Sequence, residues 1–474
     1  MESALSRPAR YGAAALAAAA SGVLWAFGTG LHPVPYLTWL AVLPVLLAAT
    51  RVPAPLAALA AGLGYLGGAA PMWHYYTVDI LVPVPLAAGL LIVPAIVLAL
   101  AVWLFRTLAL RGRLIAAALS VPAIWVSLEY LVRLFAPHGA YWSLAYTQAD
   151  LLPVVQTASV AGVWGVSFLL LAVPSAVAAA LVPGRRYLAP AVLAALLLVL
   201  PLGLGALRLV TSDEPRGPKV ASVALPGPHI EDDYDGPQGV QGVAGYLGAL
   251  PGLAAAGAEI AVFPEKLFLV PEADAPGFLA RWGAAAKDNR IGVVVGVHLG
   301  ERGVVSNAAV YFPADGGEPV IYRKHHMIPG LEVDVAPGEG TELTPGDALA
   351  GFGSYALIIC KDLDFPDLVA RDRDTGAGVL LAPALDFDDD SWLHDRMAVF
   401  RGVEQGMSLV RTAELGEALV SDPYGEVWET DGTPLVRPVS VEPLWTVYSV
   451  LGDWFAWTAL ALSGLAVASL FRRS

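Results

Sequence analysis

Eight runs of apolar, nearly uncharged residues limit what this chain can fold into: about 11–30, 34–49, 54–73, 84–105, 114–135, 158–182 and 187–207, with the last at 454–471. Crossing about 30 Å of hydrocarbon takes roughly 20 such residues, coiled so that the backbone satisfies its own hydrogen bonds. The pattern predicts a polytopic α-helical membrane bundle of eight spans, with 34–49 the shortest. No small-residue cleavage site follows the first run and further spans do, so it is expected to remain a span and not a signal peptide.

Arginines order these spans. Arg7 and Arg10, then Arg51, then Arg106, Arg111 and Arg113, then Arg185 and Arg186, and finally Arg472 and Arg473 fall on alternate connections. Cationic short loops favour the cytoplasmic face, so both ends are predicted cytoplasmic, with 211–448 on the outer side of a bacterial inner membrane. Before residue 211 the acidic residues are Glu2, Asp79, Glu129 and Asp150, whereas 38 of the 42 lie beyond it. Lipid is thus the implied solvent of 1–210 (seven spans) and of the C-terminal helix in 449–474, and water that of 211–448. A net charge of -14 with no basic stripe argues against a nucleic-acid partner.

Within the lipid-embedded part, "VSLEYLVRL" sets Arg133 four residues after Glu129, which places both on one helix face. They are expected to form a structural ion pair or to hold a lipid headgroup. Tyr130, Tyr141, Trp142 and Tyr146 suit an aromatic belt at the interface.

In 211–448, short β-branched runs alternate with helical patterns. Strands are predicted at 219–225, 258–263, 291–299, 307–312, 319–324 and 355–360, then in "GAGVLLAP", "SLVRTA" and "EALVSD". Helices are predicted around 241–255, 275–289 and 392–405. Continuous apolar strands want cover on both faces. An α/β domain follows, with mixed sheets sandwiched between helices.

Three predicted strand exits carry complementary chemistry: Glu265 in "EIAVFPEKL", Lys324 in "VIYRKHHMIPG", and Cys360 in "YALIICKDLDF". Cys360 is the one cysteine in 474 residues, so no intramolecular disulfide can form. A thiolate is a strong nucleophile near neutral pH, a poorly solvated carboxylate can take its proton, and an ammonium can hold the oxyanion formed on a carbonyl. Together they describe acyl transfer through a thioester. The bland readings are a surface glutamate, a solvated lysine and a packed thiol. His325, His326 and His394 offer a competing scheme as partners of the thiol or metal ligands. Without closely spaced His/Cys ligands no metal is expected, and no cofactor is required.

The chain resembles the apolipoprotein N-acyltransferase family, the membrane-bound branch of the carbon–nitrogen hydrolase (nitrilase) superfamily. The resemblance rests on "PAIWVSLEYLVR", "GAYWSLAYTQ", "ASVAGVWGVSFLL", "FPE", "YRKHHMIPGLE", "IICKDLDFPD", "WLHDRMAVFRGVEQG", "SDPYGEV" and "GDWFAW". It implies eight spans with a nitrilase-like αββα sandwich outside the cytoplasm. It further implies Glu265 as general base, Lys324 as oxyanion stabiliser, Cys360 as nucleophile and Glu332 as a supporting carboxylate. The donor would be a phospholipid, and the acceptor the N-terminal amine of a diacylglyceryl-cysteine lipoprotein. Lys361 and Asp362 stand where the family usually has tyrosine and glutamate, and "APALDFDDDSW" and "AELG" replace asparagine-bearing loops. These departures keep two alternatives open, a membrane-anchored amidase and a catalytically altered scaffold. Leu267, Phe268, Leu269 and Val270 are expected either to face lipid or to pack inside. Trp392, His394 and Glu129 are further candidates for contact with lipid or substrate.

Overall fold

The computed structural model describes residues 6–185, 187–226, 231–301, 304–338, 354–387, 389–430 and 433–471. Arg186, Arg472, Arg473 and part of the 226–236 loop lie outside the described residues. Two compact units divide the chain: Met1–Ala136 with Trp142–Val210 and Asp453–Ser474, and Pro137–Tyr141 with Thr211–Gly452.

The first unit is helical. Arg7–Gly28, Val84–Leu110, Leu114–Phe135, Ala158–Ala180 and Leu188–Val210 are each long and apolar enough to cross a membrane. Ala54–Ala69 with Met72–Asp79 makes a sixth if that pair, bent by 64°, counts as one. The two remaining runs form shorter apolar helices, Pro35–Ala49 and Trp454–Ala468. At 1.5 Å per residue, the 15 residues of Trp454–Ala468 rise only about 22 Å. The eight apolar runs are therefore all helical, but five or six meet the length of a span. Small residues let the first helices approach closely: a Cβ on Gly68 would lie 2.3 Å from the Trp25 Cβ.

Glu129 and Arg133 do not pair as their spacing suggested. Glu129 is buried, and its Oε1 accepts from the Trp125 indole at 2.9 Å and from the Leu144 backbone N–H at 2.7 Å. Its Oε2 accepts from the Ser143 hydroxyl at 3.2 Å, and Arg133 reaches Asp453 at 3.7 Å instead. A buried carboxylate takes whichever donors are already fixed beside it, and here a backbone turn and an indole supply them. Nor do Tyr130 and Tyr146 form a belt; both are buried, Tyr130 edge-on to Trp164 and Trp457.

The second unit has two sheets. The first contains β1 (Lys219–Ser222), β2 (Asp232–Asp233), β3 (Ala258–Val262), β4 (Phe268–Val270), β5 (Gly292–Glu301), β6 (Val304–Phe312), β7 (Val320–Arg323) and β13 (Leu435–Pro438), in the order β13-β1-β3-β5-β4-β2 with β6 and β7 continuing from β5. The second runs β12-β11-β10-β9-β8, from β8 (Ser354–Leu357), β9 (Ala377–Leu385), β10 (Ser408–Glu414), β11 (Ala418–Ser421) and β12 (Val427–Thr430). The expected hairpin is present: β5 and β6 pair antiparallel from Val293↔Phe312 to Glu301↔Val304.

Three apolar layers hold these elements in an αββα sandwich. Val220, Ile260, Val262 and Val294 of the first sheet meet Leu357, Val379, Leu381 and Val410 of the second. Phe263, Phe268, Phe278 and Trp282 fill the layer beneath Pro237–Ala255 and Ala275–Asn289. Leu363, Leu380, Val399 and Leu409 pack beneath Pro366–Asp374 and Ser391–Gln405. Each fully buried large side chain contributes roughly 1.5–3 kcal/mol. Leu267–Val270 belongs to this interior: Leu267, Phe268 and Val270 are fully buried and Leu269 nearly so, with 268–270 paired parallel to β5. They therefore do not face lipid.

Candidate active site

Each candidate side chain leaves the sandwich where a strand ends, so the rigid sheets fix its position. Glu265 follows β3 by three residues, and its backbone N–H donates to the Ala384 carbonyl of the other sheet at 3.1 Å. Lys324 directly follows β7, its N–H donating to the Asn307 carbonyl at 2.8 Å. Cys360 does not end its strand as expected. β8 stops at Leu357, and Cys360 opens a 3₁₀ turn through Asp364 with φ of 41°. A non-glycine residue held in this region is strained, an arrangement that recurs at reacting groups.

The side chains converge on one buried ammonium. Lys324 Nζ lies 2.8 Å from Glu265 Oε1 and 3.0 Å from Glu332 Oε2. Asn307 Nδ2 bridges the same carboxylates, at 2.6 Å from Glu265 Oε1 and 3.0 Å from Glu332 Oε1. A second ammonium, Lys266 Nζ, stands 2.8 Å from Glu332 Oε1. All five are buried. Only Oε1 of Glu265 is engaged; its Oε2 is buried and has no hydrogen-bond partner among the described residues. One carboxylate oxygen is clamped and the other can accept a proton.

Cys360 is 7% exposed, with its thiol 3.6 Å from the Leu385 carbonyl. Burial pushes the thiol up from its ordinary pKa and the Glu265 charge adds to this, while Lys324 and Arg411 pull the other way. A free thiolate is thus scarce at neutral pH, and for this sulfur to act as a nucleophile its proton would have to be removed in the same step. Burial alone would lower the Lys324 ammonium, but Glu265, Cys360 and Glu332 together hold it above its usual value. Burial also opposes ionisation of Glu332, yet the two lysines bring it down to about 2.

Lys361 and Asp362 have other partners. Lys361 Nζ pairs with Asp364 at 3.0 Å and meets His138 Nδ1 at 3.3 Å. Asp362 accepts from the Tyr322 hydroxyl at 2.7 Å and from the N–H groups of His325 and His326 at 3.2 and 2.8 Å, tying the segment after Lys324 to the segment after Cys360. His326 stacks on Phe365, and His394 pairs with Asp390 at 3.3 Å. Trp392 lies under the Arg396 guanidinium.

Sequence reasoning missed three participants. Asn307 was legible only as a polar residue, next to Ser306, in a mainly apolar β6. Lys266, the residue after Glu265, had no reading of its own in the sequence. Arg411 is buried in β10 between Asp386, 2.5 Å from its Oδ1, and Asp395, 2.6 Å away. Nothing in "SLVRTA" indicates those partners.

Gly296 of β5 makes room for Glu265. A Cβ there would lie 2.4 Å from the Glu265 Cα and from the Pro264 carbonyl, both backbone. Gly296→Ala is expected to displace the carboxylate and lower turnover by about 100-fold, since a shift of about 1 Å costs that much. Steady-state rates on folded variant check it; retention of full activity would mean the strand exit has slack.

A domain of this topology with carboxylates, ammonium and thiol at its strand exits is a carbon–nitrogen hydrolase domain, and the corresponding family model matches residues 219–436. The model described as the apolipoprotein N-acyltransferase N-terminal domain matches residues 21–176. An apolipoprotein N-acyltransferase of Geobacter metallireducens is 29% identical over 511 aligned residues, covering 97% of this chain and 95% of that one. Those of Bradyrhizobium diazoefficiens (29% identical, 82% of this chain and 78% of the other) and Vibrio vulnificus (25%, 82% and 84%) are also similar. The chain belongs to the apolipoprotein N-acyltransferase family, the membrane-bound branch of the carbon–nitrogen hydrolase superfamily. It is an N-acyltransferase and a bacterial membrane protein.

Proposed function

We propose that this enzyme moves an acyl chain from a phospholipid, through a thioester on Cys360, to the N-terminal amine of a diacylglyceryl-cysteine lipoprotein. Cys360 sulfur attacks the donor's ester carbonyl while its proton passes to Glu265 Oε2. Lys324 stabilises the negative charge that develops on the carbonyl oxygen. Collapse of the tetrahedral intermediate breaks the ester C–O bond, and Glu265 returns the proton to the departing lysophospholipid alkoxide. The lipoprotein's α-amine then attacks the thioester carbonyl, the C–S bond breaks, and the amine's proton passes through Glu265 to the thiolate. Glu332, Lys266 and Asn307 hold Lys324 and Glu265 in register. The observation that carries this reading is the half-engaged Glu265, with one oxygen clamped by Lys324 and Asn307 and the other unbonded. Both substrates are lipid-anchored, which gives a reason for a tethered catalytic domain. The alternating arginines support an outer-face domain with cytoplasmic termini.

Incubation with phosphatidylethanolamine vesicles should add the mass of one acyl group, lost in Cys360→Ala. Adding a diacylated lipopeptide should discharge it onto the peptide. An amidase-type second half would instead release free fatty acid, and an unlabelled wild-type protein under turnover would overturn the thioester route.

A further inference from the structure

Lys266 has no part in the proton transfers above, yet it occupies an unusual backbone conformation beside them. Its φ is 55°, in the left-handed region that non-glycine residues seldom adopt. Its carbonyl accepts from the Glu231 N–H at 2.7 Å. Successive residues in extended chain point to opposite sides. Here the turn lets both Glu265 and Lys266 reach the same cluster, one 2.8 Å from Lys324 Nζ and the other 2.8 Å from Glu332 Oε1.

The consequence is a charge balance. Glu265 and Glu332 contribute two negative charges, and Lys324 alone would leave the cluster at minus one. With Lys266 it is neutral. Other charged groups face the same region. His298, held below its ordinary pKa chiefly by burial, lies near Lys266 and reaches Glu231 at 3.6 Å. Asp386 and Arg411 act on Cys360 from the other sheet, and they offset one another as an ion pair. Neither supplies the missing positive charge.

We propose that Lys266 is a positioning residue that neutralises Glu332, leaving Lys324 free to serve Glu265 and the acyl oxyanion. Without it, Glu332 competes for Lys324, and the cluster that holds Lys324 and Glu265 carries an extra negative charge. Both effects disfavour the thiolate. This role rests on Cys360 being the reacting group, but its test does not need the acyl substrates.

Cys360 is the one thiol in the chain, so alkylation of the intact detergent-solubilised protein by iodoacetamide, followed by mass measurement, reports on it alone. The rate against pH gives the midpoint of thiol activation. In Lys266→Thr this midpoint is expected to rise by about one pH unit, as an uncompensated Glu332 drawing on the Lys324 charge that acts on the thiol implies. Lys266→Arg should restore it. Lys266→Thr combined with Glu332→Gln, which makes the cluster neutral again, should bring it most of the way back. A merely structural lysine would not produce that recovery. An unchanged midpoint in folded Lys266→Thr, or no recovery in the double variant, overturns the assignment. Loss of the acyl adduct in Cys360→Ala is read separately, so failure of the thioester route and failure of this role are distinguishable.

Discussion

Lys324→Met is expected to lower acyl transfer by about 1,000-fold and to destabilise the α/β unit by about 3–5 kcal/mol. The first figure follows from removing a preorganised charge where an oxyanion develops. The second follows from breaking a fully buried ion pair by deleting one partner: Lys324 and Glu265 are 0% and 1% exposed, 2.8 Å apart. Glu332 keeps Lys266, so Glu265 is the carboxylate left without an ammonium. The stability loss should be the same across the neutral range. The Lys324 pKa is raised on folding, so its contribution is complete below the ordinary lysine value and fades only as pH climbs past the folded one. Chemical denaturation of the solubilised protein at pH 6 and pH 8, beside single-turnover acylation of Cys360, checks both parts. A variant as stable as the wild type but inactive would assign Lys324 to chemistry alone. A destabilised variant with near-normal acylation would make it structural.

The fold was legible in proportion to how sharply its solvent constrains it. An apolar run in lipid can satisfy its own backbone hydrogen bonds by coiling into a helix, and all eight runs are helical. Length was less legible, because Pro35–Ala49 and Trp454–Ala468 are short and Ala54–Ala69 ends at a bend. Strand exits were readable because an apolar run stops where polar residues begin, which singled out Glu265 and Lys324 as candidates; Cys360 instead opens a 3₁₀ turn three residues beyond the end of β8. Partners chosen in three dimensions were not readable. The spacing of Glu129 and Arg133 fixes a shared helix face, but the Leu144 N–H, the Trp125 indole and Asp453 decided where each charge went. The run from Leu267 to Val270 is apolar under either reading, and only its pairing with β5 separates a core strand from a lipid contact. Lys266 stayed hidden because a left-handed turn, invisible in composition, redirects it toward Glu332.

Glu265→Gln is the complementary case, with activity lost and structure kept. Glutamine presents an Oε1 that can still accept from Lys324 and Asn307, now at 2.8 and 2.6 Å from that oxygen. Lys324 also retains Glu332 at 3.0 Å, which it then shares with Lys266, so neither ammonium loses its carboxylate although the cluster carries one net positive charge. The penalty is local: an amide NH₂ replaces the unbonded Oε2 and lacks an acceptor, which costs about 1–3 kcal/mol. Chemistry suffers far more, because an amide cannot take the thiol proton, and burial already holds that thiol above its ordinary pKa. Acylation of Cys360 should therefore fall by about 100- to 10,000-fold, the usual contribution of a general base. It should recover in part as pH rises, since hydroxide then does what the carboxylate did. The rate of acyl-adduct formation between pH 6 and pH 10 measures this. If Glu265→Gln stays within tenfold of the wild type, the proton leaves by another route, and Asp386, the other carboxylate acting on the Cys360 thiol, is the group to test next. If Glu265→Gln is slow but flat across that range, Glu265 places the thiol without taking its proton. A slow variant whose rate climbs with pH is the result that joins base and nucleophile in one step.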